Sequence, residues 1–127
     1  MIVLDASAAL AAVLNAGPAR SAIADERLHV PHLIDSEVAK ALRRRVTARQ
    51  LSATDGWSAL DAWRRLAMTR YPTFGLLDRV WELRDNLSSY DATYVALAEA
   101  LECNLLTADA RIARAAGIRC TVATVPG

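Results

Sequence analysis

Residue types that mark particular kinds of site are scarce in this chain of 127 residues. The two cysteines, Cys103 and Cys120, form no C-x-x-C motif, and each lies beside an apolar run. We therefore expect buried, reduced thiols. The two histidines, His29 and His32, are too few to indicate a zinc site.

Long apolar runs are absent too. Asp5 interrupts the first apolar stretch, and the next run, residues 6–14, is too short to cross a membrane. We therefore expect no signal peptide, no membrane contact and a soluble cytoplasmic protein. Lys40 is the only lysine among fifteen basic residues, and the net charge of +1 indicates no particular partner. Arginine suits phosphate binding, but biased codon usage explains its abundance equally well.

The first seven residues organise the chain. Ile2, Val3 and Leu4 form an apolar run that is typical of a strand buried on both faces. Asp5 follows, and the Ala- and Leu-rich residues 6–14 predict a helix. An acid at the carboxyl end of a buried strand lies where open α/β sheets bind ligands. Asp5 or Ser7 could equally serve only as a helix cap.

Apolar periodicity divides the rest of the chain into helices and strands. We predict helices at residues 19–24, 32–47, 52–68, 76–86, 91–102 and 109–116, and strands at 28–30, 104–107 and 119–125. This order is typical of a central parallel β-sheet flanked by helices, so we expect a single α/β domain over residues 1–127. Within it, Trp57 and Trp63 share one helix side, and core packing is favoured over a partner surface.

Three further acids stand at comparable positions. Glu37 lies at the margin of an apolar helix stripe and precedes a basic row that contains Arg43 and Arg44. Asp91 begins a helix, and Asp109 follows the strand at 104–107. Taken singly, Asp91 and Asp109 are explained as helix caps, and Glu37 as part of a solvated face. Asp35 points elsewhere on its helix and suits the helix dipole.

Together the four acids indicate a metal site. The carboxyl ends of parallel strands, and the helices that follow them, meet at one edge of a sheet, so Asp5, Glu37, Asp91 and Asp109 should converge there. Close carboxylates repel one another unless a cation lies between them. An all-oxygen pocket favours Mg²⁺ or Mn²⁺, with hydrolysis or phosphoryl chemistry at the open coordination positions.

Four short segments carry a family resemblance over nearly the whole chain. They are Val3–Ser7, Ser36–Leu42, Tyr90–Ala98 and Leu106–Asp109. In this order and spacing the chain resembles PIN-domain ribonucleases, most closely the VapC toxins of bacterial toxin–antitoxin pairs. The resemblance implies a metal-dependent endoribonuclease whose partners are RNA, a cognate VapB-like antitoxin and a second copy of the chain in a homodimer.

The resemblance also assigns roles to residues. Those matching Asp5 and Asp91 are the main metal ligands of the family, and those matching Glu37 and Asp109 complete the pocket. Ser7 and Thr107 match small hydroxyl positions beside it. For contacts to RNA phosphates, the candidates on this chain are Arg43, Arg44 and Arg49.

Two other classes of protein share part of the pattern. A phosphoacceptor receiver domain also gathers acids at a sheet edge, but it needs a lysine after a late strand, and Lys40 lies on an early helix. A catalytically silent PIN-like binding module is the remaining alternative. The intact acids weigh against it, and a metal-dependent cleavage assay would separate the two.

Overall fold

The computed structural model describes all residues, 1–127. Five strands form one sheet: β1 (Ile2–Leu4), β2 (Leu28–Pro31), β3 (Met68–Tyr71), β4 (Asn104–Thr107) and β5 (Val122–Thr124). Seven α-helices flank it: α1 (Ala6–Leu14), α2 (Pro18–Ile23), α3 (Leu33–Thr47), α4 (Ala53–Arg64), α5 (Leu77–Glu82), α6 (Ser89–Leu101) and α7 (Ala110–Arg114). A 3₁₀ turn, Phe74–Leu76, precedes α5. The expected α/β fold with a parallel sheet flanked by helices is confirmed.

All strand pairs are parallel, in the order β3-β2-β1-β4-β5. The central strand β1 is fully apolar because both of its faces are covered, and Val3 and Leu4 are 0% exposed. The helix α6 packs across β1, β2 and β4, and α1 packs against α2, α3 and α4. The core therefore lies around β1, directly beneath the residue that follows it, Asp5.

The strand β3 corrects the sequence analysis, which continued the preceding helix to residue 68 and expected only a break after it. In the structure α4 ends at Arg64, and β3 pairs with β2 at the edge of the sheet. An edge strand is covered less completely than a central one, so it needs no unbroken apolar run. The polar residues Thr69 and Arg70 concealed it.

Several smaller expectations also change. Helix α5 and strand β5 are shorter than expected, at residues 77–82 and 122–124. Trp63 is buried as expected, at 1% exposure, but Trp57 is 56% exposed and lies outside the core. Both cysteines are free thiols, but they are half-buried rather than buried. No helix is long and apolar enough to cross a membrane.

Asp35 belongs to the framework of the fold. It lies in the first turn of α3, where the indole N–H of Trp63 donates to its Oδ1 at 2.9 Å. The guanidinium of Arg70 donates to both carboxylate oxygens, at 2.7 and 2.9 Å. Asp35 therefore connects α3 to α4 and to β3. This agrees with the sequence analysis, which placed Asp35 on a different side of the helix from Glu37.

Candidate active site

The sheet reverses its strand order between β1 and β4. From β1 the chain proceeds to β2 and β3 on one side, whereas β4 and β5 lie on the other. Asp5 directly follows β1, and Thr107 is the last residue of β4. Both therefore stand at the carboxyl edge of the sheet at its switch point, where a crevice for ligands is expected.

Asp5 is the most buried acid of the site, at 3% exposure. Its Oδ1 accepts hydrogen bonds from the Ser7 hydroxyl at 2.7 Å and the Ala8 amide at 2.9 Å, and the Thr107 hydroxyl donates to Oδ2. Burial raises the pKa of the Asp5 carboxyl, these three hydrogen bonds oppose the rise, and repulsion from Asp91 adds to it. Asp5 caps α1 and faces a second acid at the same time.

Glu37 is the half-buried acid of α3. Its Oε1 accepts a hydrogen bond of 2.6 Å from the hydroxyl of Tyr94 on α6. Burial raises the pKa of the Glu37 carboxyl, the Tyr94 bond opposes this, and the charges of Asp91 and Asp5 raise it further. Glu37 therefore experiences the charges of both Asp5 and Asp91, which also interact with each other.

Asp91 is the acid that interacts through charge with each of the other three. It is not the helix cap, because Ser88 caps α6 and accepts the Asp91 amide at 3.2 Å. Burial raises the pKa of the half-buried Asp91 carboxyl, Ser88 opposes this, and Asp109 raises it again. Its own charge raises the pKa of Asp5 and of Glu37. Asp91 is thus coupled by charge to Asp5, Glu37 and Asp109, although Glu37 lines a different hollow from Asp91 and Asp109.

Asp109 differs from the other three acids because it alone forms an ion pair within the chain. Arg111 donates from Nε to Oδ1 at 3.0 Å and from Nη2 to Oδ2 at 2.7 Å, and this hydrogen bonding lowers the pKa of Asp109. Asp109 also caps α7 by accepting the Arg111 amide at 3.0 Å. Asp109 is therefore a helix cap that also stands beside Asp91.

Two open hollows reach the acids from different sides. The first, which we call the α1–α3 groove, has a volume of about 510 Å³ and includes Ser7 and Glu37. Its remaining lining residues are Ala6, Leu10, Lys40, Ala41, Arg44, Arg45, Ala48 and Gln50. The second, the α6–α7 hollow, has about 420 Å³ and includes Asp91, Asp109 and Arg111. Basic side chains therefore stand beside acids in both hollows.

The three arginines expected at RNA phosphates lie in different places. Arg44 lines the α1–α3 groove together with Glu37. Arg43 lines a separate, more apolar hollow of about 290 Å³ between α3 and α4, beside Trp57. Arg49 follows the end of α3 in the left-handed conformation, with φ 59°, and lines neither the α1–α3 groove nor the α6–α7 hollow. The structure thus brings only Arg44 to the acids.

The acidic side chains suit a divalent cation that is largely hydrated. Asp5, Glu37 and Asp91 form no ion pair within the chain, although each has a raised pKa and faces another acid. Their oxygens are the hard ligands that Mg²⁺ prefers. No three of them form a ready-made ligand group. The residues therefore fit an ion that keeps several waters and takes one or two carboxylates.

Two residues of this neighbourhood were missed by the sequence analysis. Tyr94 lies in the apolar stretch of α6 and is indistinguishable there from a core aromatic. Arg111 follows Asp109 by two positions, and a basic residue so close to a capping acid was a signal that the sequence contained.

Comparison with known proteins agrees with this geometry. Residues 2–118 match the family model of the PIN domain. The chain is 61% identical over 126 residues to VapC ribonuclease Mb0985 of Mycobacterium bovis, with 99% of both chains covered. It is 41% identical over 128 aligned positions to Ribonuclease VapC1 of Mycobacterium tuberculosis, covering 97% of this chain and 96% of the relative.

Solved structures support the fold. The crystal structure of PAE2754 from Pyrobaculum aerophilum matches with a TM-score of 0.69 at 22% identity, covering 95% of this chain and 81% of the other. That of Mycobacterium tuberculosis VapC20, titled a sarcin-ricin loop cleaving toxin, matches with a TM-score of 0.68 at 20% identity, covering 94% and 97%. The chain therefore belongs to the PIN-domain family, and within that family to the VapC ribonucleases.

Proposed function

We propose that this protein is a Mg²⁺- or Mn²⁺-dependent endoribonuclease that acts as the toxin of a toxin–antitoxin pair. The observation that supports the proposal most is that the charge of Asp91 raises the pKa of both Asp5 and Glu37 beside the switch point of the sheet, while none of these three acids forms an ion pair within the chain. Family membership at 61% identity to a VapC ribonuclease supports RNA as the substrate.

Each residue has a proposed role in the hydrolysis. Asp5 and Asp91 would hold the metal, and a divalent ion bound there lowers the pKa of water and offsets charge in the transition state. Glu37 and Asp109 would orient water or a second ion, and one of them would accept a proton as general base. Ser7 and Thr107 fix the Asp5 carboxylate through hydrogen bonds to its two oxygens.

Substrate binding would rely on basic side chains that lie near the acids. Arg44, Lys40 and Arg45 line the groove that Glu37 shares, and phosphate contacts of this kind give affinity without reading sequence. Arg43 and Arg49 remain candidates for RNA farther from the acids.

The decisive experiment compares wild type with Asp5→Asn. Purified wild type should cleave single-stranded RNA with Mg²⁺ or Mn²⁺ and lose this activity in EDTA, whereas Asp5→Asn should be inactive under all three conditions. Asp25→Asn is the matched control, because Asp25 is an exposed acid in the turn after α2. Mapping of RNA ends after expression of each variant would identify the cut. Equal cleavage by Asp5→Asn, or full activity in EDTA, would overturn the metal-dependent site, whereas a wild type that cleaves no RNA with either metal would favour a silent binding module.

The proposed protein partners are a VapB-like antitoxin and a second copy of the chain. One structural match is VapBC2 from Rickettsia felis bound to a DNA fragment from the promoter of that pair. A tail that places an arginine or lysine among the carboxylates would neutralise them as a metal does. Co-expression should yield an inactive complex, and sedimentation should give a dimer. A stable complex that cleaves RNA at the full rate would contradict this mode of inhibition.

A further inference from the structure

One hydrogen bond joins the two helices that carry Glu37 and Asp91. We propose that Tyr94 is a positioning residue, which holds the Glu37 carboxylate in the orientation that serves the divalent metal. The inference rests on the proposed function, and it assigns a role to a side chain that touches neither substrate nor metal.

The geometry makes Tyr94 a fixed donor. Its side chain is 1% exposed and belongs to the hydrophobic core, so packing sets the position of the ring and of the hydroxyl. That hydroxyl donates to Glu37 Oε1 at 2.6 Å across 57 positions of the chain. A short bond to an ionised acceptor is among the stronger hydrogen bonds in proteins.

Glu37 depends on this donor. Tyr94 provides its only hydrogen bond within the chain, and no arginine or lysine pairs with it. A glutamate has several rotatable bonds and loses considerable freedom when it is ordered. With Oε1 engaged by Tyr94, the carboxylate is held while Oε2 has no donor from the protein. Oε2 is therefore available to a metal or to its water.

A purely structural role explains Tyr94 less well. A phenylalanine would fill the same space in the core without placing a polar hydroxyl there, which costs free energy unless it is bonded. Burial and the charges of Glu37, Asp5 and Asp91 all raise the pKa of the Tyr94 hydroxyl, which therefore keeps its proton. A protonated donor among three carboxylates supports the orientation of an acid and does not replace the metal.

Tyr94→Phe tests the proposal, because it removes the hydroxyl and leaves the ring. Loss of an outer hydrogen bond to a metal-binding group costs about 10–100-fold in metal affinity or activity. We expect Mn²⁺ to bind the RNA-free protein at least about tenfold more weakly by calorimetry, and kcat to fall about 10–100-fold with KM for RNA unchanged. Tyr71→Phe is the matched control, because the Tyr71 hydroxyl and His29 Nδ1 form a hydrogen bond of 2.7 Å and neither residue lines the α1–α3 groove or the α6–α7 hollow. Its Mn²⁺ affinity and kcat should equal those of wild type.

A double-mutant cycle separates positioning from a general effect on the fold. If Tyr94 acts through Glu37, then Glu37→Gln and the Glu37→Gln/Tyr94→Phe pair should have the same Mn²⁺ affinity and the same kcat. Glu37→Asp withdraws the carboxylate from both the tyrosine and the metal, so it should weaken Mn²⁺ binding at least as much as Tyr94→Phe, and Tyr94→Phe should add no further loss in that background.

Wild-type Mn²⁺ affinity in Tyr94→Phe would overturn the inference, as would an undiminished effect of this substitution in the Glu37→Gln background. The calorimetric arm needs no cleavage. Suppose that wild type does not cleave RNA, but Tyr94→Phe weakens Mn²⁺ binding and does so only when Glu37 is present. This result would count against the nuclease function and not against the positioning role. An active wild type whose Mn²⁺ affinity does not depend on Tyr94 would do the reverse.

Discussion

The hydroxyl of Thr107, the last residue of β4, donates a hydrogen bond to the carboxylate of Asp5, the residue that follows β1. The bond satisfies one oxygen of an acid that is 3% exposed. Thr107→Val keeps the shape of the side chain but removes the donor. We expect the metal-free protein to lose about 1–3 kcal/mol of unfolding free energy, because a buried oxygen is left without a partner. Urea unfolding in EDTA measures the loss.

Thr107→Ser is the matched control for this prediction, since it retains the hydroxyl. It should remain closer to wild type than Thr107→Val does. A Thr107→Val protein as stable as wild type would mean that the bond contributes nothing to the metal-free fold.

Asp91→Asn should not destabilise the metal-free protein. Burial and Asp109 raise the pKa of Asp91, so ionised Asp91 costs stability at any pH above its folded pKa. Asparagine removes this charge, and Ser88 rather than Asp91 caps the helix. The melting temperature in EDTA should therefore equal or exceed that of wild type, as when strained functional sites are relaxed. A clearly lower value would return Asp91 to a structural role.

Mg²⁺ should distinguish the same two proteins. At about ten times its dissociation constant, a ligand that binds only the folded state stabilises it by about 1.4 kcal/mol. We expect wild type to gain this amount and Asp91→Asn to gain much less. Thermal melts across a Mg²⁺ series provide the comparison, and equal gains would place the ion elsewhere.

Arg44→Ala should weaken RNA binding about equally for all sequences. Arg44 lines the groove that contains Glu37, and removal of one phosphate contact to single-stranded RNA makes the slope of log affinity against log salt shallower by about 0.7. Binding should be measured in the Asp5→Asn background, which prevents cleavage. Arg27→Ala is the matched control, because this exposed arginine precedes β2 at the opposite, amino edge of the sheet. A larger effect of Arg43→Ala would move the RNA to the α3–α4 side.

Asp35 predicts a pH dependence of stability. The Arg70 hydrogen bond is the largest cause that lowers the pKa of Asp35 below its ordinary value of 3.8. The stabilisation is therefore complete above the unfolded pKa and is lost as pH falls through the lower folded value. Asp35→Asn should be less stable than wild type at pH 7, by at most about 1 kcal/mol because both partners are partly exposed.

The difference in unfolding free energy between the two proteins should persist at pH 5 and shrink toward pH 2. Arg70→Gln should reproduce this profile, because it removes the partner. A difference that stays constant to pH 2 would assign the effect to the Trp63 hydrogen bond and not to charge.

The sequence predicted where the four candidate acids lie in the fold, because their positions depend on local order. Asp5 and Asp109 follow apolar strands, and Glu37 and Asp91 lie near helix starts, so the parallel arrangement alone brings them to one edge. The acids could be identified because an ionised residue at the border of an apolar run needs a donor or a cation to offset its loss of water.

The rest depended on contacts across the fold. Tyr94 belongs to an apolar helix face, and its hydroxyl donates to Glu37 on another helix. The sequence could not show this contact because the two residues are 57 positions apart. The edge strand β3 has little apolar character, and its register with β2 defines it. Arg43 and Arg44 are neighbours in sequence, yet consecutive helix positions point about 100° apart, and they line different hollows.

The bonds that assemble the site connect residues far apart in the chain, 102 positions for Thr107 and Asp5 and 57 for Tyr94 and Glu37. Contacts of this kind form late in folding, because closing long loops costs entropy before the contacts stabilise anything. The candidate site is therefore complete only once β4 has paired with β1 and Tyr94 has reached Glu37.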